Sequence, residues 1–196
     1  MSERGQATRE RLIATASRLF GDHGFDGTAV EAVLQESGVS RGALYHHFAS
    51  KEALFDAVLE RMDVDITRQT VAAVDRAADP VERLRQGCVA WLRLARQPQV
   101  QRIFLLDAPA VVGWQRWRQL EEGHGLAMVK GGLDAVAAAG LLPSRHVEIF
   151  AHMLLAALNE VALVVAWAED PDDAAAAGEE AIDELLRRLL SAPTSS

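Results

Sequence analysis

Side chains suited to hydrogen bonding with a nucleic acid stand within eleven positions of one another near the N-terminus. The donors are Arg41, Tyr45, His47 and Lys51. Arginine can donate two hydrogen bonds to guanine O6 and N7, the commonest specific contact in the major groove. Tyrosine, histidine and lysine can donate to phosphate oxygens. Gly42 and Ala43 beside the arginine are small, which lets the backbone approach base edges closely. The set predicts non-covalent contact with DNA.

The same segment also fits an enzyme motif. Gly38-Val39-Ser40-Arg41-Gly42 matches G-x-S-x-G, the nucleophile elbow of α/β-hydrolases. That elbow needs a β-strand before the serine, because the strained strand-to-helix turn exposes the hydroxyl. Here an amphipathic helix is predicted before Ser40, whose hydroxyl is sufficiently explained as a helix N-cap. The hydrolase interpretation is therefore disfavoured, and we expect no catalytic residues.

Two short helices joined by a tight turn are predicted to position these donors. Thr28 begins the first of them, and the Thr28-x-x-Glu31 spacing predicts a capping box. Gly38 ends that helix. Ser40 caps the next, from Arg41 to Phe48, whose Leu44 and Phe48 lie one turn apart and face inward. Packed on a longer helix from Thr8 to Asp22, this arrangement is a helix-turn-helix.

Helical periodicity continues to the C-terminus, so the predicted fold class is all-α. The longest apolar stretch, Val147 to Ala168, is long enough to span a bilayer. Ionisable groups such as Glu148 and Glu160 lie within it, however, and such groups are costly at membrane depth. We therefore expect a helix buried in the protein or in a subunit interface, with no membrane partner. A charged N-terminal segment and a single cysteine, Cys88, favour a cytoplasmic location.

Bulk charge does not favour nucleic-acid binding. The chain has 196 residues and a formal net charge of −8. Through Glu52, six lysines and arginines stand against seven aspartates and glutamates. Any binding to DNA must therefore depend on a docking motif and not on a basic surface.

The stretch from Thr8 to about Met62 resembles the DNA-binding domain of the TetR/AcrR regulators. The resemblance lies in the runs SRLFGDHGFDGTAV and SGVSRGALYHHFASKEALF. It implies DNA-backbone contacts by Thr28, Tyr45, His47 and Lys51, and base contacts by Arg41, Gly42 and Ala43. It also implies a C-terminal all-α domain, whose last two long helices form a four-helix dimer interface and whose other helices enclose an effector pocket. We expect a DNA-binding domain of residues 1–62 and a ligand-binding and dimerisation domain of residues 63–196.

Residue types suggest how that pocket would be lined. Ligand sites are mostly apolar, with a few polar anchors. The candidate lining residues are Trp91, Phe104, Trp114, Trp117 and Met128, with Asp107, His124 and His152 as polar anchors. A helix break from Asp107 to Gly113 is expected to border the cavity, with the apolar helix near His152 on the other side. The histidines lack the close spacing of a metal site, so we expect neither metal nor cofactor.

These patterns favour a homodimeric repressor that leaves a palindromic operator when an apolar or aromatic small molecule binds. Two alternatives remain open. One is a helix-turn-helix regulator without a small-molecule effector. The other is an all-α enzyme or carrier, which leaves the combination of Arg41, Tyr45 and Lys51 unexplained.

Overall fold

The computed structural model describes residues 3–76 and 78–190, and all regular elements in these two ranges are helical. The all-α class predicted from the sequence is confirmed. The described residues form two compact units, one of residues 3–63 and 97–118, the other of residues 64–76, 78–96 and 119–190. The sequence predicts a single boundary after residue 62. By packing, the first unit also takes up residues 97–118.

The α-helices, in chain order, are α1 (Glu3–Gly27), α2 (Val30–Ser37), α3 (Arg41–His47), α4 (Lys51–Ala72), α5 (Pro80–Ala95), α6 (Pro98–Val100), α7 (Ala108–Val111), α8 (Trp114–Leu120), α9 (Leu126–Ala138), α10 (Val147–Trp167) and α11 (Pro171–Leu190). Wider π-helical turns occupy Gln101–Asp107 and Glu121–Gly125. Helix α1 is longer than the predicted span from Thr8 to Asp22.

Gly24 bends α1 near its end. Its φ of 73° lies in the left-handed region, where a side chain is strained. A Cβ at this position would also overlap the guanidinium of Arg102. Gly24 is thus a kink in α1, after which the chain turns toward α2.

The core of the first unit contains a cluster of three phenylalanines. The ring of Phe55 lies edge-on to Phe20 and Phe25, with centroids 5.1 and 5.2 Å apart. Phe20 and Phe55 are fully buried. Edge-to-face packing is favourable because the positive ring edge meets the negative ring face. The cluster joins α1 to the start of α4 and so supports the helices between them.

Residues 97–118 pack on this unit through polar contacts. Asp107 Oδ2 accepts a hydrogen bond from the backbone N–H of Phe25 at 2.7 Å. The Arg116 guanidinium bonds both carboxylate oxygens of Asp56, at 2.8 and 3.1 Å, and one of Glu60 at 2.7 Å. These contacts fasten the segment to the end of α1 and to α4.

The predicted break from Asp107 to Gly113 is shorter in the structure. The helix continues through Asp107 to Val111, and the turn comes only at Gly113, with φ of 82°. Apolar residues on both sides of Asp107 are buried, including Phe104 and Ala108, and their packing keeps the helix intact. The polar residue therefore marks a tertiary contact and not a loop.

In the second unit α5, α9, α10 and α11 pack around one hydrophobic core. Helix α5 begins at an N-cap, Asp79, whose carboxylate accepts from the N–H groups of Val81 and Glu82. Arg85 links α5 to α11 through Asp183 at 3.5 Å. Hydrogen bonds from Arg85 and then Gln86 lower the pKa of Glu82 to about 2. Burial raises the pKa of the Cys88 thiol to about 12, so this cysteine is an unreactive core residue.

Helix α10 is apolar on its outer face as well as its inner one. Exposed fractions are 62% for Ile149, 60% for Met153, 55% for Val164 and 70% for Trp167. These positions, with exposed Ala156 and Glu160, recur every three or four residues and form one stripe, called here the α10 stripe. In the described chain, only Ser144–Trp167 is long and apolar enough for a membrane span by length and composition, and 33% of its most apolar window is buried.

Adjacent glycines in α9 allow a matched test of this packing. A Cβ at Gly131 would meet open space, whereas one at Gly132 would lie 2.8 Å from Cδ1 of buried Leu84. Alanine stabilises a helix interior by about 1 kcal/mol relative to glycine. Overpacking a core costs about 1–3 kcal/mol. In urea unfolding we expect Gly131→Ala to be more stable than wild type and Gly132→Ala to be no more stable. Equal gains would show that α5 and α9 are not close-packed at Leu84.

Candidate nucleic-acid interface

A sharp turn sets the angle between α2 and α3. Gly38 ends α2 with φ of 63° and ψ of 22°, the left-handed conformation that glycine adopts at helix C-termini. Ser40 then begins α3, and its hydroxyl accepts from the N–H of Ala43 at 3.2 Å. The predicted cap at Ser40 is confirmed. Since α2 precedes this serine where a hydrolase has a strand, the nucleophile-elbow interpretation is wrong.

Helix α3 has a buried side and an open side. Leu44 and Phe48 are 0% and 4% exposed, as predicted from their spacing. On the opposite side Arg41, Gly42, Tyr45 and His46 are exposed, while Ala43 and His47 are half-buried. A Cβ at Gly42 would have open space around it. The open side therefore presents hydrogen-bond donors on both sides of Gly42, where no side chain covers the backbone.

Arg41 is paired with Glu31, the residue that the Thr-x-x-Glu spacing places in a capping box with Thr28. Its guanidinium forms an ion pair with the carboxylate of Glu31 on α2. The hydrogen bond and charge of Glu31 raise the pKa of Arg41 above its ordinary value, with a smaller contribution from Tyr45. The same contact with Arg41 lowers the pKa of Glu31. Both groups are therefore charged, and both side chains are more than half exposed.

The predicted capping box at Thr28 and Glu31 is wrong. Helix α2 begins at Val30, and its N-cap is Ala29, without a side-chain hydrogen bond. The Thr28 hydroxyl is instead buried and within hydrogen-bond distance of the carbonyl oxygens of Leu19 and Gly24. Both carbonyls belong to α1, one before the kink and one at the kink residue itself, so the hydroxyl bonds back to α1 and not forward to α2. Thr28 thus holds the α1–α2 connection, and its side chain does not face the open side of α3.

Lys51 lies at the first position of α4, after the cap residue Ser50, whose hydroxyl accepts from the N–H of Ala53 at 3.2 Å. Its ammonium lies 4.1 Å from the ring centroid of Phe25, within cation–π distance. The ring holds the ammonium near the N-terminus of α4, where the helix dipole also favours an anion. Phe25 is not among the site residues predicted from the sequence, because its spacing indicates only a core residue.

Four of the predicted pocket residues lie in the first unit. Phe104 and Trp117 are buried, and the Trp117 indole N–H donates to the Phe104 carbonyl at 3.0 Å. Trp114 stacks at a tilt on Trp117, with ring centroids 4.8 Å apart, and is 62% exposed. Asp107 is bonded to Phe25 and paired with Arg102. Phe104, Trp117 and Asp107 therefore have structural contacts within this unit, which their residue types alone did not indicate.

The other four lie in the second unit. Trp91 on α5, Met128 on α9 and His152 on α10 have half-buried side chains. Trp91 packs against the core of the unit, and His152 lies 3.8 Å from Glu148. His124, in the π-helical turn before α9, is exposed. Helices α5, α9 and α10 all pack on one another, so three of these four side chains belong to one bundle.

The helix-turn-helix has a recognition helix, α3, with a buried apolar side and an open side that carries Arg41 and Tyr45, and Lys51 begins the next helix. This arrangement is suited to the major groove of DNA. Fold and site together define a DNA-binding transcriptional regulator.

Two family models match the chain. The family model for bacterial regulatory proteins of the tetR family matches residues 12–58, and that for the tetracyclin repressor-like C-terminal domain matches residues 81–189, more than half of the chain. The chain belongs to the tetR family of bacterial regulatory proteins. Members of this family bind operator DNA, typically as homodimers with small-molecule effectors.

Individual relatives agree with this assignment. The chain is 34% identical over 82 residues to the HTH-type transcriptional regulator UidR of Escherichia coli (strain K12), a stretch covering 42% of this chain and 38% of UidR. It is 35% identical over 115 residues to the HTH-type transcriptional repressor KstR2 of Mycobacterium tuberculosis (strain ATCC 25618 / H37Rv), 58% of each chain. The matched stretches thus span about two to three fifths of these relatives.

A solved structure matches almost the whole chain. A TetR-family transcriptional regulator from Pectobacterium atrosepticum superimposes with a TM-score of 0.84 at 32% sequence identity, covering 98% of this chain and 99% of that one. The similarity therefore extends through the C-terminal bundle as well as the helix-turn-helix.

Proposed function

We propose that this protein is a homodimeric, cytoplasmic repressor that binds a palindromic operator through α3 and is released by a small apolar or aromatic effector. The observation that carries the proposal is the open side of α3, where Arg41, Gly42 and Tyr45 are exposed on a rigidly capped helix. Base contacts are assigned to Arg41, Gly42 and Ala43. Phosphate contacts are assigned to Tyr45, His47 and Lys51.

The α10 stripe supports dimerisation. Stable dimer interfaces of the obligate kind are apolar and bury more than about 2,000 Å². Large contiguous apolar patches on a monomer mark interaction sites. Helix α11 packs on α10 and adds exposed Leu185, so the two helices together would form half of a four-helix interface. Two-fold symmetry would then place two copies of α3 in successive major grooves, about 34–36 Å apart.

The operator itself is the first test. Wild-type protein should select from a random pool of duplex DNA an inverted repeat whose half-site centres lie about one helical turn apart. A selected sequence without two-fold symmetry would contradict the dimeric arrangement. Failure to enrich any sequence would contradict the repressor proposal.

Arg41 and Lys51 are expected to differ in what they recognise. Arg41→Ala should cost about 1–3 kcal/mol on the selected operator and relax preference at one base pair in each half-site, because a guanine contact is lost. Lys51→Ala should weaken binding to all sequences and reduce the salt dependence by about one unit, because it contacts phosphate. Fluorescence anisotropy titrations at several salt concentrations measure both. Equal losses on operator and random DNA for Arg41→Ala would assign it to the backbone.

The effector is proposed to bind in the second unit. Half-buried Trp91, Met128 and His152 come from three helices that pack together, and such a mix of apolar and polar groups suits an apolar ligand with one anchor. A compound that releases the protein from the operator should quench the tryptophan fluorescence of the wild type but not that of the Trp91→Phe variant. If the compound releases the protein from the operator without changing the fluorescence of Trp91, the effector binds elsewhere. If no compound releases the protein, regulation without a small-molecule effector is favoured.

A further inference from the structure

Glu31 is an acidic residue on a surface expected to meet DNA, and its position there needs a physical reason. It is in the first turn of α2, ten residues before Arg41, and the turn at Gly38 brings the two together. The Glu31 side chain is 67% exposed and that of Arg41 is 55% exposed. Because exposed ion pairs contribute little to folding stability, the pair is not explained as a support of the fold.

The pair constrains Arg41. An exposed arginine side chain samples many rotamers, and ordering it on binding reduces affinity. Glu31 forms a hydrogen bond and an ion pair with the guanidinium, and Tyr45, one turn along α3, also interacts with it. The guanidinium has five N–H donors. One contact with Glu31 therefore leaves donors available for a base.

A carboxylate in the major groove also discriminates between bases. It can only accept hydrogen bonds, and in the groove cytosine N4 is the donor that acidic side chains usually read. Guanine O6 and N7 and thymine O4 are acceptors, and phosphates are negative, so all of them repel a carboxylate. Adenine N6 is also a donor, so Glu31 favours cytosine or adenine at its position and penalises guanine or thymine there.

We propose that Glu31 is a specificity-determining residue of the interface. It orients Arg41 toward a guanine and accepts a hydrogen bond from the amino group of a neighbouring cytosine. This inference rests on the proposed function, since it requires α3 to enter the major groove. The sites recognised would contain a guanine and a cytosine under the α2–α3 turn of each protomer.

Glu36 provides a matched control. It lies on the same helix α2, is exposed, and forms an ion pair with an arginine, Arg18. Glu36→Gln and Glu31→Gln change the net charge equally, so long-range attraction to DNA rises by the same amount in both. Only Glu31→Gln removes the carboxylate paired with Arg41.

The experiment measures dissociation constants of wild type, Glu31→Gln and Glu36→Gln for the selected operator, for operators altered at each G·C pair, and for random duplex DNA at fixed salt. Glu31→Gln keeps an acceptor oxygen, but its neutral amide no longer forms the ion pair with Arg41 and can also donate to guanine or thymine, so it no longer discriminates against them. It should therefore lower the ratio of operator to random affinity on the order of tenfold, the discrimination of one good base contact. The loss should disappear on the operator altered at one cytosine position. Glu36→Gln should leave the ratio as in wild type. Thermal unfolding confirms that both variants are folded.

Two results would overturn the inference. If Glu31→Gln and Glu36→Gln alter both affinities equally, Glu31 acts only through net charge. If Glu31→Gln lowers the ratio equally at every altered base pair, it supports the fold of the turn and reads no base. A wild-type protein without sequence preference would refute the proposed function itself, which distinguishes that failure from the other two.

Discussion

Replacement of Met153 by glutamate should convert the proposed dimer into monomers and lower operator affinity by about 10²- to 10⁴-fold, the gain expected from linking two binding modules. Met153 lies in the middle of the α10 stripe and is 60% exposed, so the substitution leaves the core of its own protomer intact. In a two-fold interface each substitution occurs twice, and two carboxylates would enter an apolar contact without partners. Burying an unpaired charge costs several kcal/mol.

Sedimentation velocity at micromolar concentration and operator titration together measure this effect. Leu141→Glu is the matched control, because it makes the same chemical change at an exposed apolar residue of the second unit outside the α10 stripe. The control should remain dimeric and bind the operator. A Met153→Glu protein that is still dimeric and still binds tightly would place the interface on another surface.

The α10 stripe shows what hydropathy alone could predict. The sequence indicates that Val147 to Ala168 is too apolar for one buried face, and the structure shows the second face exposed at Ile149, Met153 and Trp167. A helix buried on one side needs an apolar residue only at every third or fourth position. A helix that is apolar at most of its positions therefore has a second apolar face. It does not indicate which apolar residue faces its own domain. That depends on which helices pack beside it.

The buried side of α3 could also be predicted, since Leu44 and Phe48 are one turn apart and no other apolar pair is available in so short a helix. The hydrogen-bond partners of the Thr28 hydroxyl could not be predicted. Thr-x-x-Glu spacing permits a capping box, but the chain path after the kink at Gly24 places the hydroxyl against the carbonyl oxygens of Leu19 and Gly24 instead. This placement depends on a backbone angle that the sequence pattern does not specify. With Thr28 engaged there, Glu31 was left to pair with Arg41.

Asp107 is the clearest case of a polar residue whose partner is remote in sequence. A charged residue between apolar ones suggested a helix break or a ligand anchor. In the structure its carboxylate accepts the N–H of Phe25, 82 residues away. That N–H follows the kink at Gly24, so it has no helical carbonyl to bond, and the acceptor must come from another segment.

Loss of this acceptor should weaken both the fold and the operator complex. We expect Asp107→Ala to lower the free energy of unfolding by about 1–3 kcal/mol, because a partly buried N–H loses its partner. Phe25 also packs against Phe55 and carries the Lys51 ammonium over its ring. A looser Phe25 would no longer hold Lys51 at the N-terminus of α4, so affinity for operator and random DNA should fall together. Urea unfolding and anisotropy titrations measure the two effects.

Two further variants separate this hydrogen bond from charge. Asp107→Asn keeps an oxygen that can accept from Phe25 but loses the ion pair with Arg102, which lies 3.3 Å away, so it should retain most of the stability and affinity. Asp22→Ala removes a carboxylate of the same unit from an exposed pair with Arg18 and should change stability by no more than about 1 kcal/mol. If Asp107→Asn is as damaging as Asp107→Ala, the charge and not the hydrogen bond holds residues 97–118 in place. If Asp107→Ala is as mild as Asp22→Ala, the contact with Phe25 does not stabilise the DNA-binding unit.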